Sequence, residues 1–331
     1  SSFNFSGFSP SLVQNMNQMF YGLDALNTID FSSFSTASAT TLTGMFEKSR
    51  GLTSLDLSTF DTSNVTSMKE MFRDTDNLLN IDLSSFDTSN VVALDRMFIN
   101  ASSLTNLDLS HFITPNLTDV EYMFAGCTSL NSLDISSLNT TGVTTMRGMF
   151  ENSGITSLDL TNFDTSNVTD MSGMFRDMTS LTSIDLSSFD VSNVTDFNNM
   201  FNNVDSLSSL DLSSFVTSSG TNFFQMLRDM NSLTNLDISN FDTSNAVTLE
   251  RMFTNSPNIN FLDLSHFDTS NVTNVDYMFF GTSNIFSYDL SGWDVSSVVN
   301  SDQVFNGITG TIYCDQGGSP GTGAIFGEPC N

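Results

Sequence analysis

Positive charge is scarce in this chain: its 331 residues include 9 lysines and arginines against 37 aspartates and glutamates, for a net charge of −28. Phosphate backbones repel a surface this negative, so the composition speaks against a nucleic-acid partner and favours cations or basic protein surfaces. Long apolar runs are missing as well. No stretch of about 18 apolar residues occurs, so we expect no segment that spans a membrane.

Histidine and cysteine, which supply many metal ligands and nucleophiles, number only two and three. His111 and His266 lie far apart, and no phosphate-binding loop or nucleophile motif is present, so the sequence predicts neither an enzyme nor a resident cofactor. Cys314 and Cys330 bracket a glycine- and proline-rich segment. We favour a disulfide over two free thiols, because it would close a loop of about 17 residues and contribute about 3 kcal/mol. Cys127 is expected to be a lone, semi-buried thiol.

What the sequence has in abundance is a Met-Phe pair that recurs at near-constant spacing. The interval is 26 residues except between Met149 and Met174, where it is 25, and Leu227 replaces the phenylalanine once. The methionines of these pairs are Met19, Met45, Met71, Met97, Met123, Met149, Met174, Met200, Met226, Met252 and Met278. A fixed period of this size predicts a solenoid, in which each repeat buries its apolar face against its neighbours.

The two ends of the chain fall outside this register. We expect residues 1–20 to form an N-terminal cap built from Phe3, Phe5, Phe8 and a short helix-like stretch, residues 21–305 to form the solenoid, and residues 306–331 to form a C-terminal cap. Caps are needed because the end coils would otherwise expose the apolar core and unpaired strand edges.

One copy of the repeat, residues 52–77, shows how a coil is built. Residues 55–57 alternate apolar and polar side chains, as a short strand with one buried face does. The turn-forming run at 61–64 follows. Apolar residues at 65–72 are then spaced by three and four, which predicts a helical or 3-10 turn. The start of that segment also mirrors residues 52–55 at half the period, which instead predicts a second strand in each coil.

The pattern L-x-x-L-D-L-S-x-F-D-T-S-N-V-T-x-M-x-x-M-F recurs with near-identical copies at residues 55–64, 81–90 and 262–271. It resembles the BspA-like leucine-rich-repeat surface proteins, including the repeat family abundant in mycoplasma surface lipoproteins, over about residues 20–305. The resemblance implies a right-handed leucine-rich-repeat solenoid with a parallel β-sheet. It also implies a role in adhesion or in recognition of a protein or glycan partner at a cell surface.

Two further expectations concern location and assembly. The chain begins at Ser1 without an apolar leader, which fits either a mature, processed secretory protein or a trimmed chain. The family resemblance implies an extracellular location, so we expect a secreted, extracellular or cell-surface protein. The contending hypothesis for its role is a structural subunit that assembles with copies of itself into a filament, sheath or surface layer, with calcium as a cofactor of assembly.

Residues at the same position of successive copies are called a column, and the aspartate column in the middle of the strand holds the candidate ligand- or cation-binding residues. These candidates are Asp56, Asp82, Asp108, Asp134, Asp159, Asp185, Asp211, Asp237 and Asp263. Stacking places like charges about 5 Å apart at a cost of about 1 kcal/mol per pair in water. Hydrogen bonds from nearby serine, threonine and backbone donors, together with protonation of some carboxyls, would offset this cost. Bound Ca²⁺ is the alternative, because it takes oxygen ligands from several carboxylates.

Three other columns carry expectations. The threonines Thr62, Thr88, Thr114, Thr140, Thr165, Thr217, Thr243 and Thr269 form a regular column of the kind that ice-binding solenoids present. The column that contains Asn64 and Asn90 is expected to pair its stacked side-chain amides with one another. All nine basic residues lie within five positions of a Met-Phe pair, which predicts that the strand and the turn after it form an almost purely acidic face.

Overall fold

The computed structural model describes residues 2–5, 10–314 and 324–330. It contains short strands and no helix in those ranges. The strands are β1 (Ser2–Asn4), β2 (Thr28–Asp30), β3 (Ser54–Asp56), β4 (Asn80–Asp82), β5 (Ser157–Leu158), β6 (Ser183–Ile184), β7 (Ser209–Asp211), β8 (Asn235–Asp237), β9 (Ser287–Asp289), β10 (Thr311–Tyr313), β11 (Ala324–Ile325) and β12 (Glu328–Pro329). The chain divides into two compact units, Ser1–Asn167 and Val168–Asn331.

Strands of successive coils pair in parallel, each residue opposite its counterpart in the next copy. In the first unit β1 pairs with β2 and β3 with β4, so that Leu55 faces Ile81 and Asp56 faces Asp82. In the second unit β7 pairs with β8, and β9 with β10. The alternation of buried and exposed residues along these strands is the one that the sequence predicts, and the expected parallel sheet of a repeat solenoid is confirmed.

The segment that leads to each Met-Phe pair forms a second parallel ladder, where the sequence favoured a helical turn. In the first unit single-residue bridges link Asn15, Thr41, Ser67, Ala93, Asp119 and Thr145 in succession. In the second unit they link Asp170, Asp196, Asn222, Thr248, Asn274 and Asn300. The predicted helical or 3-10 return is therefore not seen in the described residues. The alternative of a second strand in each coil is the one observed, as bridges of one residue.

Left-handed residues explain why no helix forms around the Met-Phe pair. Glu70, just before the pair, has φ of 56°, and Asp74, two residues after it, has φ of 55°. A right-handed helix cannot contain such residues. Their N–H groups donate instead to the next coil, from Glu70 to the Asp95 carbonyl at 3.0 Å and from Asp74 to the Ile99 carbonyl at 2.8 Å. The Arg73 N–H donates within its own coil to Glu70 at 3.1 Å, so donors alternate between the coil and its neighbour.

The Met-Phe columns form the core, as predicted. In the first unit the rings of Phe46, Phe72, Phe98, Phe124 and Phe150 lie nearly parallel, with centroids 5.5–5.9 Å apart. All five rings are fully buried. In the second unit Phe253, Phe279 and Phe305 stack in the same way at 5.7–5.8 Å. Each ring thus finds its main partner one repeat away, which ties neighbouring coils together.

The coil at residues 130–154 is the one that is a residue short, and Gly154 accommodates the deletion. A coil of ordinary length has two residues, Arg50 and Gly51, between Ser49 and the buried Leu52. The short coil has only Gly154 between the corresponding residues Ser153 and Ile155. A Cβ atom at Gly154 would lie 2.2 Å from the carbonyl oxygen of Thr128. Only glycine fits there, because the backbone of the connection lies against the preceding coil.

Gly154→Ala is expected to lower the free energy of unfolding by about 3 kcal/mol, the upper end of the range for overpacking, since the added methyl group meets a backbone oxygen that cannot move aside. Ser153→Ala is the matched control. Its buried hydroxyl has no hydrogen-bond partner, so removing that hydroxyl should leave stability unchanged or slightly raised. Urea denaturation of both variants measures the difference. Equal stability of the two would contradict this account.

The ends of the chain are closed by aromatic side chains and one disulfide. Phe5 is buried against Phe20, Phe31 and Phe34, with centroids 4.9–5.6 Å apart. The side chain of Phe3, the whole of Phe8, and residues 315–323 lie outside the described part of the chain, and the proposed cap boundaries stay a prediction. At the other end β11 and β12 form an antiparallel hairpin whose Phe326 packs 6.3 Å from Phe305.

The predicted disulfide is present. Cys314 and Cys330 are bonded, with Cα atoms 5.6 Å apart, and both side chains are buried. The bond joins the end of β10 to the residue after β12, so it fastens the terminal hairpin to the last parallel strand.

Candidate functional site

The aspartates of the strand column share one arrangement, in which the carboxylate accepts hydrogen bonds from the residue two positions later. Asp134 illustrates it: its Oδ1 accepts the N–H of Ser136 at 3.1 Å and the Ser136 hydroxyl at 2.7 Å. The same backbone contact, at 2.9–3.1 Å, holds Asp30, Asp56, Asp82, Asp108, Asp134, Asp159, Asp185, Asp211, Asp237, Asp263 and Asp289. Each strand therefore ends in a turn that fixes the direction of an exposed carboxylate.

These hydrogen bonds favour the ionised form at eight positions of the column. The pKa of Asp56 is lowered by the hydroxyl and amide of Ser58, and this effect exceeds the opposing effects of burial and of the neighbouring Asp82 and Asp30 carboxylates. The pKa is lowered for the same chief reason at Asp30, Asp82, Asp108, Asp134, Asp185, Asp211 and Asp263. The expectation that serine and backbone donors compensate the ladder is confirmed, and at these eight positions the expectation of protonated carboxyls is wrong.

The basic residues all lie around the Met-Phe pairs, in a region we call the turn face (residues 69–76 and their counterparts). Each of the nine is within 4.0 Å of a carboxylate of that face, for example Lys69 at 2.7 Å from the buried Asp95 and Arg96 at 2.7 Å from Glu121. The other ion pairs join Lys48, Arg50, Arg73, Arg147, Arg176, Arg228 and Arg251 to such carboxylates. None of the partners in these pairs belongs to the strand column.

Arginines of the turn face also stack on tyrosine rings. The guanidinium groups of Arg96 and Arg147 lie 5.4 Å and 5.8 Å from the ring centre of Tyr122, and that of Arg251 lies 4.8 Å from Tyr277. The turn face therefore neutralises much of its own charge. The strand face (the exposed side chains at the positions of Thr53, Ser54 and Asp56 and their counterparts) keeps its negative charge.

In the described residues, no group of three or more histidine, cysteine, aspartate or glutamate side chains is placed to hold a metal ion. Calcium binding by the aspartate column therefore stays a prediction. If the column is held by hydrogen bonds from the residue two positions later and not by a cation, Asp159→Asn and Asp185→Asn should melt at the wild-type temperature or above it, in calcium and in EDTA alike. A calcium-induced rise in the melting temperature of the wild type that these variants lose would contradict this.

A second expected outcome concerns pH. The folded-state pKa of Asp108 and Asp134 lies below the unfolded value of about 3.9, so ionisation contributes stability above that value. That contribution is lost as the pH falls through the lowered folded-state pKa. Urea denaturation between about pH 5 and pH 2 should therefore show a shallower loss of stability for the double variant Asp108→Asn/Asp134→Asn than for the wild type.

The control for this comparison is Thr105→Ser, on the same strand face but without a carboxylate, which should keep the wild-type pH profile. If the double variant loses stability as steeply as the wild type, the aspartate column does not govern acid denaturation.

The threonine column of residue 62 is buried, which overturns the ice-binding hypothesis built on it. The Thr62 hydroxyl donates to the Asp87 carbonyl at 2.9 Å and accepts the Asp87 N–H at 2.8 Å, so it satisfies both backbone groups of a residue in the next coil. Thr88, Thr140, Thr217, Thr243 and Thr269 make the same donation. A hydroxyl turned into the coil stack cannot meet an ice surface.

The remaining singled-out residues are structural. Asn64 donates from its side-chain amide to the Ala37 carbonyl at 3.1 Å, so the expected pairing of one asparagine amide with the next is wrong, whereas the turn role holds. His111 and His266 lie with Nε2 at 2.8 Å and 3.0 Å from carbonyl oxygens of the preceding coil. Cys127 is fully rather than partly buried, and burial raises its pKa to about 12, which leaves it unreactive.

Sequence reasoning missed a group of exposed aromatic side chains on the strand face of the second unit. Phe261 is 69% exposed, Phe286 is 81% exposed and Tyr313 is 45% exposed. Phe261 takes the position of Ser54, Phe286 takes that of Thr53, and Tyr313 pairs with Asp289 of the aspartate column. The signal was available in the sequence, because these residues depart from the small polar residues that most copies have at the same positions.

Family comparison agrees with this architecture. The family described as "Mycoplasma protein of unknown function, DUF285" matches residues 2–104, 75–158, 152–261 and 208–311. The chain belongs to this family. Successive DUF285 matches overlap, as expected when a family defined on several repeats is matched along a longer array. Comparison with curated proteins found no match.

Among solved structures, this DUF285 chain is similar to a leucine-rich repeat protein from Bacteroides ovatus, with 14% identity, a TM-score of 0.47, and coverage of 80% of this chain and 59% of that one. It is also similar to a leucine rich cell surface protein from Faecalibacterium prausnitzii, with 15% identity, coverage of 88% and 80%, and a TM-score of 0.42. The functional domain of InlJ from Listeria monocytogenes is 16% identical, with coverage of 92% and 67% and a TM-score of 0.31. The chain thus spans less than two thirds of the Bacteroides ovatus protein.

The described residues of the DUF285 chain include no helix with the length and apolarity that crossing a bilayer requires.

Proposed function

We propose that this chain is a non-enzymatic extracellular scaffold that recognises a cationic protein partner through its strand face. The single observation behind this proposal is that carboxylates of the turn face pair with basic side chains, whereas those of the strand column do not. The nine basic side chains pair with carboxylates of the turn face. Carboxylates of the strand column such as Asp56 and Asp211 are kept ionised by serine hydrogen bonds instead, so their field is available to an external partner.

Rigidity supports the same proposal. Each strand carboxylate is already oriented by the backbone two residues later, for example Asp211 by the N–H of Ser213 at 2.9 Å. A partner would therefore lose little side-chain entropy from the scaffold when it binds. A repeated, preorganised row of one charge suits a partner that carries several positive side chains along an extended surface.

Charge reversal on one face tests the proposal. The variant Asp56→Lys/Asp82→Lys/Asp108→Lys should lose binding to a panel of basic proteins, measured by surface plasmon resonance at low and physiological salt. The control Asp24→Lys/Asp302→Lys/Glu328→Lys changes the net charge equally at exposed acidic residues outside the strand column and should keep binding. An equal loss of binding in both variants would mean that net charge, and not the strand column, determines binding. Binding of glycans alone, untouched by either variant, would contradict a cationic partner.

The contending structural role, assembly with copies of the same chain, stays a prediction. Light scattering and negative-stain imaging in calcium and in EDTA would test it, and ordered filaments or sheets would favour it over the recognition scaffold.

A further inference from the structure

On the strand face of the second unit, large apolar side chains exposed to solvent replace some of the small polar residues of the repeat. At the position of Phe261 other strands have Ser54, Asn80, Ser209 and Asn235. A solenoid needs no aromatic residue at this exposed position, because the buried residue that follows it, Leu262, supplies the core contact. A phenylalanine that is 69% exposed therefore contributes little to the fold, and grouped exposed aromatic residues mark interaction sites.

Phe261 borders a groove of about 330 Å³ that lies wholly within the second unit. Leu210 and Leu236 of the adjacent strands β7 and β8 supply apolar lining, and Asp211 and Asp237 of the same strands face each other across the ladder. Asp211 and Asp237 belong to none of the ion pairs made by the nine basic side chains. The groove thus combines an aromatic ring, aliphatic surface and two carboxylates within one binding volume.

We propose that this groove binds an arginine side chain of an extended peptide segment. The proposal rests on the proposed function and specifies which residue of the cationic partner is recognised. The guanidinium group would stack on Phe261 while its N–H groups donate to the carboxylates of Asp211 and Asp237. The turn face already uses this chemistry: Arg96 lies over Tyr122 and also pairs with Glu121 at 2.7 Å. Phe286, 81% exposed in the last full coil of the unit, extends the apolar surface for the rest of the segment.

The same groove discriminates between cations. A lysine ammonium is compact and strongly hydrated, whereas a guanidinium is planar and weakly hydrated and can stack and pair at the same time. A neutral sugar would donate hydroxyl hydrogen bonds to the two carboxylates but would leave their negative charge uncompensated. Arginine is therefore the residue that uses every component of the site.

The test uses a fluorescein-labelled oligoarginine peptide and fluorescence anisotropy with the full chain. Oligoarginine should bind more tightly than oligolysine of equal length. Phe261→Ser, which installs the residue found at Ser209, should weaken oligoarginine binding about tenfold, and so should Phe261→Leu, because leucine keeps the apolar surface and lacks the ring. Leu79→Thr is the matched control. It removes an exposed apolar side chain from the strand face of the other unit, at the position equivalent to Phe286, and should leave the affinity unchanged.

Two outcomes would overturn the inference: equal weakening by Leu79→Thr and Phe261→Ser, or equal affinity for oligolysine and oligoarginine. Retained binding by both Phe261 variants would also overturn it. If oligoarginine does not bind but basic proteins still bind through the strand column, the inference fails and the proposed function stands. If neither peptide nor basic protein binds the wild type, both fail together. Phe261 is exposed, so circular dichroism should show the wild-type fold for its variants.

Discussion

Phe98→Ala is expected to lower the free energy of unfolding by about 3–5 kcal/mol, the cost of emptying a buried aromatic site. Phe98 is fully buried and stacks on Phe72 at 5.5 Å and on Phe124 at 5.9 Å, so its removal takes contacts from two neighbouring coils at once. The backbone beside it is hydrogen-bonded to the next coil and cannot collapse into the space, which puts the cost toward the upper end of the range. Guanidinium denaturation followed by circular dichroism measures it.

Phe98→Leu is the matched control, because the chain itself carries Leu227 in the same column. It retains most of the buried apolar area and should cost about 1–1.5 kcal/mol. If leucine and alanine were equally destabilising, the stack of rings would matter more than the volume it fills. If alanine cost less than about 1 kcal/mol, the coils would not depend on this column.

Thr62→Val is the second large effect, expected at about 2–4 kcal/mol. The substitution keeps the shape of the buried side chain but removes the hydroxyl that serves both the N–H and the carbonyl of Asp87, and each unsatisfied group costs about 1–3 kcal/mol. Urea denaturation of the purified variant measures the loss. The result separates hydrogen bonding from packing, since valine and threonine occupy nearly the same volume.

The control for this prediction lies four residues away. Thr66 is exposed, and the same column carries Val92 and Val247 in other coils, so Thr66→Val should change stability by less than about 0.5 kcal/mol. A similar loss from both substitutions would mean that the buried hydrogen bonds of Thr62 have no special role and that valine destabilises the coil wherever it replaces threonine.

Period and side-chain chemistry were enough to predict the parallel strands, the Met-Phe core and the disulfide. The spacing of three and four around Met68 and Met71 led to the wrong prediction of a helical turn, because a helix and a chain of turns can bury the same residues. What decides between them is the left-handed backbone at Glu70 and Asp74. Glutamate and aspartate have no backbone preference strong enough to predict a left-handed conformation from the sequence. The hydrogen bonds that hold this conformation come from the next coil.

The sequence also did not predict which columns are buried and which are exposed. Thr62 and Thr66 are both threonine in most coils, yet one is buried and the other exposed. Their difference follows from where the turn at 61–64 directs the chain, which periodicity alone does not determine. Phe261 and Phe286 were detectable as departures from their columns. A search for regularity passes over such residues, whereas a search for exceptions finds them.

The backbone bonds from each coil to the next have a consequence for how quickly the chain can fold. They join residues about one repeat apart, so the typical contact spans 26 residues of 331, or about 0.08 of the chain length. That value falls in the range of helical bundles, although the described residues contain no helix. Each coil needs only its neighbour as a template, so assembly can start at any coil and spread in both directions. Each coil, although made of strands and turns, thus closes contacts over a fraction of the chain length that is typical of helical proteins.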